Sequence, residues 1–225
     1  QLTEASPDYL TAWIKLAQIA LAQNQLAECD SFIRQALARD TGNYDALSLR
    51  GALRLAQGNT DTAITELEHL NSIYTGSPQA RYNLALAYCA KGDTAKALKN
   101  ADDAVSLSPD FDEAILLQAQ LNLNRENTTE ATTSLTQLIQ RRPQLDKAHL
   151  LLAAAYLGKG NLEDASAIYR RLAQMFPQDP RFPMLLAVVL QREGNAANAR
   201  ELLDQSLRLS PGFLPSLELL VNLDL

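Results

Sequence analysis

The sequence has 225 residues, with 26 acidic and 20 basic side chains, a net charge of −6 and a pI of about 5.0. This charge disfavours nucleic acid as a ligand, because phosphate binding needs a concentrated basic face. No apolar run approaches the ~20 residues of a membrane span, and neither a signal peptide nor a lipid-attachment motif is recognisable, so we expect no membrane insertion. The composition, rich in Ala, Gln, Asn and Leu, favours a bacterial source. The start at Gln1, without methionine, indicates a piece of a longer protein.

In chain order, stretches with apolar residues at helical spacing alternate with short turns. The stretch 79–91 is followed by Gly92-Asp93, and the stretch 95–107 by Ser108-Pro109. Glycine can end a first helix in a left-handed conformation, the next polar residue can cap the second helix, and proline stops that second helix. The sequence therefore predicts helix-turn-helix units. Their first helices begin near Leu10, Tyr44, Pro78, Asp112, Asp146, Pro180 and Leu214.

Several residue columns repeat every 34 positions. The prolines of one column are Pro109, Pro143, Pro177 and Pro211, and the alanines of another are Ala63, Ala97, Ala131, Ala165 and Ala199. A third column of small residues is Ala17, Gly51, Ala85, Ala119, Ala153 and Ala187. Small residues are needed where helices cross closely, and a fixed period of this length is typical of stacked-repeat proteins. Such a chain presents a long surface instead of a built-in catalytic pocket.

The columns resemble the tetratricopeptide repeat: Trp13 stands at the tryptophan position, Gly51 at the small position, and Tyr88 and Tyr156 at the aromatic position. The resemblance extends from Pro7 to Leu225 and implies an all-α, right-handed superhelical solenoid. We predict one array over residues 1–225, with units 10–43, 44–77, 78–111, 112–145, 146–179 and 180–213 and a partial seventh unit, 214–225. Three units depart from the pattern: the sixth opens with Pro180 and Pro183, so its first helix is expected to begin a few residues late. The second has Arg50 and Arg54, and the fourth Gln118, Asn122 and Glu126, at positions where the family has Leu, Tyr or Gly.

The residues that could carry chemistry are few and far apart. Cys29 and Cys89 lie nearly two units apart, so we expect two free thiols, which favours a reducing compartment. His69 and His149 are 80 residues apart; His149 is expected to pack at the tryptophan position and His69 to be solvated. No metal-ligand spacing or phosphate-binding loop is recognisable. We therefore predict no cofactor, no metal site and no enzymatic activity.

In the resembling family, positions 2, 5, 9 and 12 of each first helix line an inner groove that binds peptides. Here that face is mostly apolar, and an exposed apolar strip is commonly a binding site; the alternative is that neighbouring repeats cover it. The predicted groove residues are Tyr82, Leu86, Leu116, Gln120, Leu150, Met184 and Val188, with Lys147, Arg181 and Arg192 as a polar rim. Tyr82 is the central aromatic candidate. None of the units has the lysine and asparagine that clamp acidic chaperone tails in this family, so an apolar or amphipathic segment is the expected ligand.

The function that follows is a protein-binding scaffold. Two alternatives remain open: the recognition arm of a larger enzyme, such as a glycosyltransferase or kinase, and a structural part of a bacterial envelope, secretion or polysaccharide-export assembly. A soluble protein is expected, with a cytoplasmic location slightly favoured over a periplasmic one. The last stretch is apolar on the residues Leu217, Leu219, Leu220, Val221, Leu223 and Leu225, with no second helix to cover it. Solenoid ends need a polar cap. Either this helix caps the sixth unit with one face left bare, or the array continues and was truncated; the second is favoured, so we expect self-association through this end.

Overall fold

The structure is a computed structural model that describes residues 9–223. Within this range it is all α-helical, with no strand and thirteen helices in helix-turn-helix order. They are α1 Leu10–Ala22, α2 Leu26–Arg39, α3 Tyr44–Ala56, α4 Thr60–Ile73, α5 Pro78–Lys91, α6 Thr94–Leu107, α7 Asp112–Asn124, α8 Thr128–Arg141, α9 Asp146–Gly158, α10 Leu162–Met175, α11 Arg181–Arg192, α12 Ala196–Leu209 and α13 Leu214–Leu223. The fold is an α-helical repeat solenoid. Pro7 and Leu225, the ends of the predicted resemblance, lie outside the described residues.

The chain divides into two compact units, called the first and the second unit below, one ending at Leu121 and the other beginning at Asn122. The helix-turn-helix units predicted from the sequence are called repeats from here on. The largest apolar core of the first unit lies between α4, α5 and α6, where Leu70, Ala85 and Ala101 are fully buried. In the second unit a core is built around Tyr169 and Phe182, which are also buried. Each helix is therefore held by the burial of one apolar side against its neighbours, which outweighs the weak stability of short helices in isolation.

The turn between the two helices of a repeat has the geometry that the glycines predict. Gly92 has φ of +81° and donates its N–H to the carbonyl of Cys89, and the Asp93 side chain accepts the N–H of Lys96 at the start of α6. The fourth repeat has no glycine here, and Glu126 takes the same left-handed conformation with φ of +65°. A side chain in this region costs about 1–2 kcal/mol relative to glycine, so this turn is strained.

The last helix, α13, has a covered and an uncovered face. Leu219, Leu220 and Leu223 pack against a buried core of Ala187, Ala199 and Leu203. The expectation that the whole apolar stretch is uncovered was wrong for these three residues, because a helix of about 3.6 residues per turn turns one face to its neighbour and the other away. The uncovered face consists of Leu214, Leu217 and Val221, which are 67%, 39% and 61% exposed. Leu225 lies outside the described residues.

Candidate functional site

The first unit contains a cleft of about 140 Å³ between α3 and α5, which we call the inner cleft because its lining includes predicted groove positions. Its lining is mostly aliphatic: Ser48, Leu49, Ala52, Leu55, Leu67, Asn83 and Leu86. Ser48, Ala52 and Leu55 lie on one side of α3 because they are spaced by four and three residues. Leu86 is 37% exposed, which is unusual for a leucine in this chain and leaves apolar surface open to a ligand.

Two polar side chains, Asn83 and Ser48, form one edge of this cleft. Asn83 Nδ2 donates to Ser48 Oγ at 2.8 Å, and Gln79 Nε2 donates to Asn83 Oδ1 at 3.0 Å. The first bond joins α3 to α5, and all three side chains are half-buried or exposed. The edge thus combines a fixed amide with an apolar floor, an arrangement typical of sites that bury one side chain and orient the segment that carries it.

Tyr82 lies on α5 one turn before Leu86, and it is half-buried. Its ring packs against Phe111 with centroids 5.1 Å apart and an interplanar angle of 57°. Burial, followed by the charges of Glu113 and Cys89, raises the pKa of Tyr82 above its ordinary value. The ring is therefore neutral at physiological pH and offers one apolar face. Leu116 and Gln120 follow on α7, where Leu116 is half-buried and Gln120 is exposed.

In the second unit the predicted groove residues are partly taken up by core packing. Leu150 packs against the core around Tyr169, and Met184 packs against the core around Ala187. Val188 is also half-buried. These residues leave less apolar surface open than Leu86 does, so the expectation that neighbouring residues cover part of the strip describes this unit better.

The three predicted rim residues differ in their contacts. Arg181 binds Asp179 at 2.7 Å and reaches Asp146 at 3.4 Å, and its hydrogen bond lowers the pKa of Asp179 below the ordinary value. Arg192 Nη1 donates to the carbonyl of Leu157 at 3.1 Å. Lys147 is exposed. Both arginines thus already bind groups of their own unit, and Lys147 is the rim cation most available to a ligand.

The chemically reactive side chains do not converge. Cys29 and Cys89 are free thiols, and burial raises the pKa of both, in Cys29 with a contribution from Asp30. His149 is buried, with Nε2 3.0 Å from the carbonyl oxygen of Pro143, and His69 is exposed. Within residues 9–223 no group of three or more His, Cys, Asp or Glu side chains is placed to hold a metal ion. None of the described helices combines the length and apolarity needed to cross a membrane.

The comparisons with known proteins agree with this architecture. Sequence models of the tetratricopeptide repeat match residues 10–43, 54–121, 122–189 and 181–205, which together cover more than half of the chain. The chain belongs to the tetratricopeptide repeat family. Members of this family are generally non-enzymatic scaffolds for protein interactions. Comparison of the sequence with curated proteins found no significant match.

Three solved structures illustrate how far the tetratricopeptide fold is shared. A chain of the APC/C hetero-tetramer Cut9-Hcn1 is similar with a TM-score of 0.77 and 15% identity, over 99% of this chain and 44% of that one. PilW, described as a widely conserved type IV pilus biogenesis factor, has a TM-score of 0.81 and 19% identity, over 94% and 98%. YrrB, described as a TPR protein with an unusual peptide-binding site, has 0.64 and 13%, over 83% and 96%. This chain spans less than half of the first of these relatives.

Sequence reasoning chose Leu86 for the site but missed Asn83. The column of Asn83 has leucine in four of six repeats, at Leu49, Leu117, Leu151 and Leu185. A polar residue in a leucine column was the signal that could have identified it. Ser48, Ala52 and Leu55 occupy predicted groove positions but were not among the predicted groove residues. Ser48 and Ala52 have small side chains, and the sequence does not show the cleft that such side chains leave open.

Proposed function

We propose that this tetratricopeptide array is a non-enzymatic scaffold that binds an apolar or amphipathic segment of a partner protein in the inner cleft of its first unit. The cleft between α3 and α5 carries the proposal. It has room for one aliphatic side chain, which would contact Leu86, Ala52 and Leu55. Burial of such a side chain contributes about 1.5–3 kcal/mol, enough to anchor a segment whose remaining contacts are weaker.

The polar edge gives the segment an orientation. Asn83 uses one Nδ2 hydrogen in its bond to Ser48, and its second is directed by the same fixed amide plane. A backbone carbonyl next to the anchoring side chain is the natural acceptor. Tyr82, Leu116 and Gln120 extend the site along α5 and α7. A second, more polar binding surface is proposed on the other unit, from the residues Leu150, Met184, Val188, Lys147, Arg181 and Arg192.

The proposal is tested by selecting binders from a random peptide library against the folded chain and measuring their affinity by calorimetry. We expect the selected peptides to share one Leu, Ile or Met. The variant Leu86→Asp is expected to weaken them about tenfold or more, because it places a charge at the mouth of an apolar cleft. Leu107→Asp is the matched control, since Leu107 is 45% exposed on α6 and does not line the cleft. Equal affinities of the two variants would contradict the proposal.

A structural role in a pilus or envelope assembly is the second candidate, and the likeness to PilW favours it over the recognition arm of an enzyme. The two roles share the binding site proposed above. They differ in the partner, which a crosslinking experiment from Leu86→Cys with a photoreactive thiol reagent would capture in its native setting. Recovery of a subunit of such an assembly from the variant, and not from Leu107→Cys, is the expected result for this candidate.

A further inference from the structure

Two arginines in α3 occupy columns that are apolar in four of the other five repeats, the exception being the fourth, with Gln118 and Asn122. Arg50 stands where those four repeats have Leu16, Leu84, Leu152 and Leu186, and Arg54 where they have Ala20, Tyr88, Tyr156 and Leu190. Because the two arginines are one turn apart, they share a side of α3, and the helical period places that side opposite Ser48 and Ala52. α3 therefore separates the inner cleft from a second cleft on its other side, which we call the outer cleft.

The arginines are held by carboxylates from the two flanking helices. Arg50 Nε donates to Glu66 Oε2 at 2.9 Å, while Arg54 reaches Glu66 at 3.5 Å and Asp30 at 3.4 Å. Arg54 Nη1 also donates to Gln57 at 2.9 Å. On α2, Arg34 Nε pairs with Asp30 at 3.0 Å. The cluster thus contains three guanidinium groups and two carboxylates, which leaves one positive charge uncompensated.

The cluster surrounds open space. It lines a cleft of about 480 Å³, together with the apolar side chains of Ile33 and Leu37. The third and fifth repeats have leucine and tyrosine in the corresponding columns, whereas Arg50 and Arg54 extend around the space instead of filling it. Arg50 remains only 30% exposed, so its guanidinium is oriented by burial as well as by Glu66.

Donors remain available in this cleft. The hydrogen bonds of Arg34 and Arg50 use Nε alone, and neither Nη1 nor Nη2 of either residue donates a hydrogen bond within residues 9–223. A guanidinium edge with free terminal nitrogens is suited to the two oxygens of a carboxylate, which it binds through parallel N–H···O bonds.

We propose that this outer cleft binds a carboxylate group of a partner polypeptide, through Arg50 and Arg34, with Arg54 as the residue that fixes the two acidic side chains. A single carboxylate makes the cluster neutral, with three charges of each sign. A phosphate dianion would leave it negative next to Glu66 and Asp30, so charge complementarity favours the carboxylate. The site is distinct from the inner cleft and goes beyond the proposed function, since it lies on the other side of α3.

The test is a titration of the ¹⁵N-labelled protein at low ionic strength, with the arginine Nε–Hε signals as the readout. The probe is the peptide acetyl-Gly-Glu-Gly-amide, and the matched probe is acetyl-Gly-Gln-Gly-amide, which has the same shape without the charge. We expect saturable shifts of the Arg50 and Arg34 signals with the glutamate peptide only, and their loss as salt is added.

Three variants complete the test. Arg50→Gln and Arg34→Gln are expected to weaken the glutamate peptide about tenfold each, because each removes a charge-assisted pair of hydrogen bonds. Arg171→Gln, which removes an exposed arginine from α10, is the control for net charge and is expected to have no effect. Arg34 is 73% exposed, so its variant keeps the fold even if Arg50→Gln does not.

Several results would overturn the proposal. These are equal shifts with the two peptides, no saturation at low salt, or unchanged affinity in Arg34→Gln and in folded Arg50→Gln. Tighter binding of inorganic phosphate than of the glutamate peptide would also refute the assignment to a carboxylate.

Discussion

Leu67 in α4 lies against Gly51 in α3 so closely that a Cβ on Gly51 would be 2.5 Å from Leu67 Cδ2 and 2.6 Å from Leu67 Cγ. Both residues are buried, and Leu67 is 1% exposed. No ordinary carbon contact is this short, so the crossing of α3 and α4 depends on the missing methyl group. Five other repeats have alanine in the same column. Because even an alanine Cβ would overlap here, α3 and α4 approach each other more closely than a column of small residues indicates.

We predict that Gly51→Ala destabilises the first unit. Alanine favours a helix by about 1 kcal/mol over glycine, but the overlap with Leu67 costs about 1–3 kcal/mol, so we expect a net loss of up to about 2 kcal/mol. Denaturant unfolding of the variant measures it. Gly158→Ala is the control, because a Cβ at Gly158 meets nothing within 4 Å; it is expected to leave stability unchanged or slightly raised. A Gly51→Ala variant as stable as the control would show that the helices can separate freely.

The turn at Glu126 gives a prediction of the opposite sign. Glu126→Gly removes the strain of a left-handed side chain, about 1–2 kcal/mol, and loses up to about 1 kcal/mol through the greater freedom of the unfolded chain. We expect a small net gain in the second unit, read as a higher unfolding midpoint. Glu193→Gly tests the reasoning, because Glu193 follows α11 with φ of −78° and gains nothing from glycine. It should lower the midpoint, and the same sign for both variants would disprove the explanation.

The hydrogen bond from Tyr88 to Glu68 predicts a loss of stability at high pH. Tyr88 Oη donates to Glu68 Oε1 at 2.6 Å, and burial, followed by this bond and the charge of Glu68, raises the pKa of Tyr88 to about 12. The folded state thus prefers the neutral phenol. The stabilising contribution is complete below pH 10, where the unfolded tyrosine is also protonated, and it disappears as the pH rises from 10 to 12.

Ultraviolet titration of tyrosine ionisation checks this prediction. Tyr88→Phe should remove the latest component of the titration and reduce the slope of stability between pH 10 and 12. Glu68→Gln keeps an acceptor without the charge and should move the Tyr88 ionisation to lower pH. A titration that is identical in wild type and Glu68→Gln would contradict the assigned cause.

The uncovered face of α13 leads us to expect self-association at high concentration. Leu214, Leu217 and Val221 are exposed on one side of the helix, and apolar surface of this kind associates in water. Sedimentation velocity over a concentration series should show an increase for the wild type that the pair Leu217→Lys and Val221→Lys removes. Ile19→Lys with Ile73→Lys is the control, since these isoleucines are similarly exposed on α1 and α4. A wild type that stays monomeric at millimolar concentration would end this expectation.

Much of the fold follows from the sequence because its signals are local. Gly92 and Asp93 define a turn by backbone geometry and capping, and the small columns mark helix crossings, whatever the partner is. The sites depend on tertiary neighbours instead. Asn83 and Ser48 are 35 residues apart and meet only because their helices stack. Arg50 was recognised as a departure from the pattern, yet nothing in its own helix says that Glu66 would receive it. The division into six repeats and a partial seventh, and the right-handed winding, stay predictions.

The charge cluster also determines the order in which these repeats can be joined. An ordinary repeat can be exchanged with another because its neighbours present similar apolar surfaces. The hairpin of α3 and α4 is different, since Arg54 depends on Asp30 from the preceding hairpin as well as on Glu66 from its own. Moved to another place in the array, it would bring a guanidinium without its second carboxylate and meet a leucine or tyrosine environment. The first two hairpins are thus a matched pair, and a shuffled or recombined chain would be expected to retain them together.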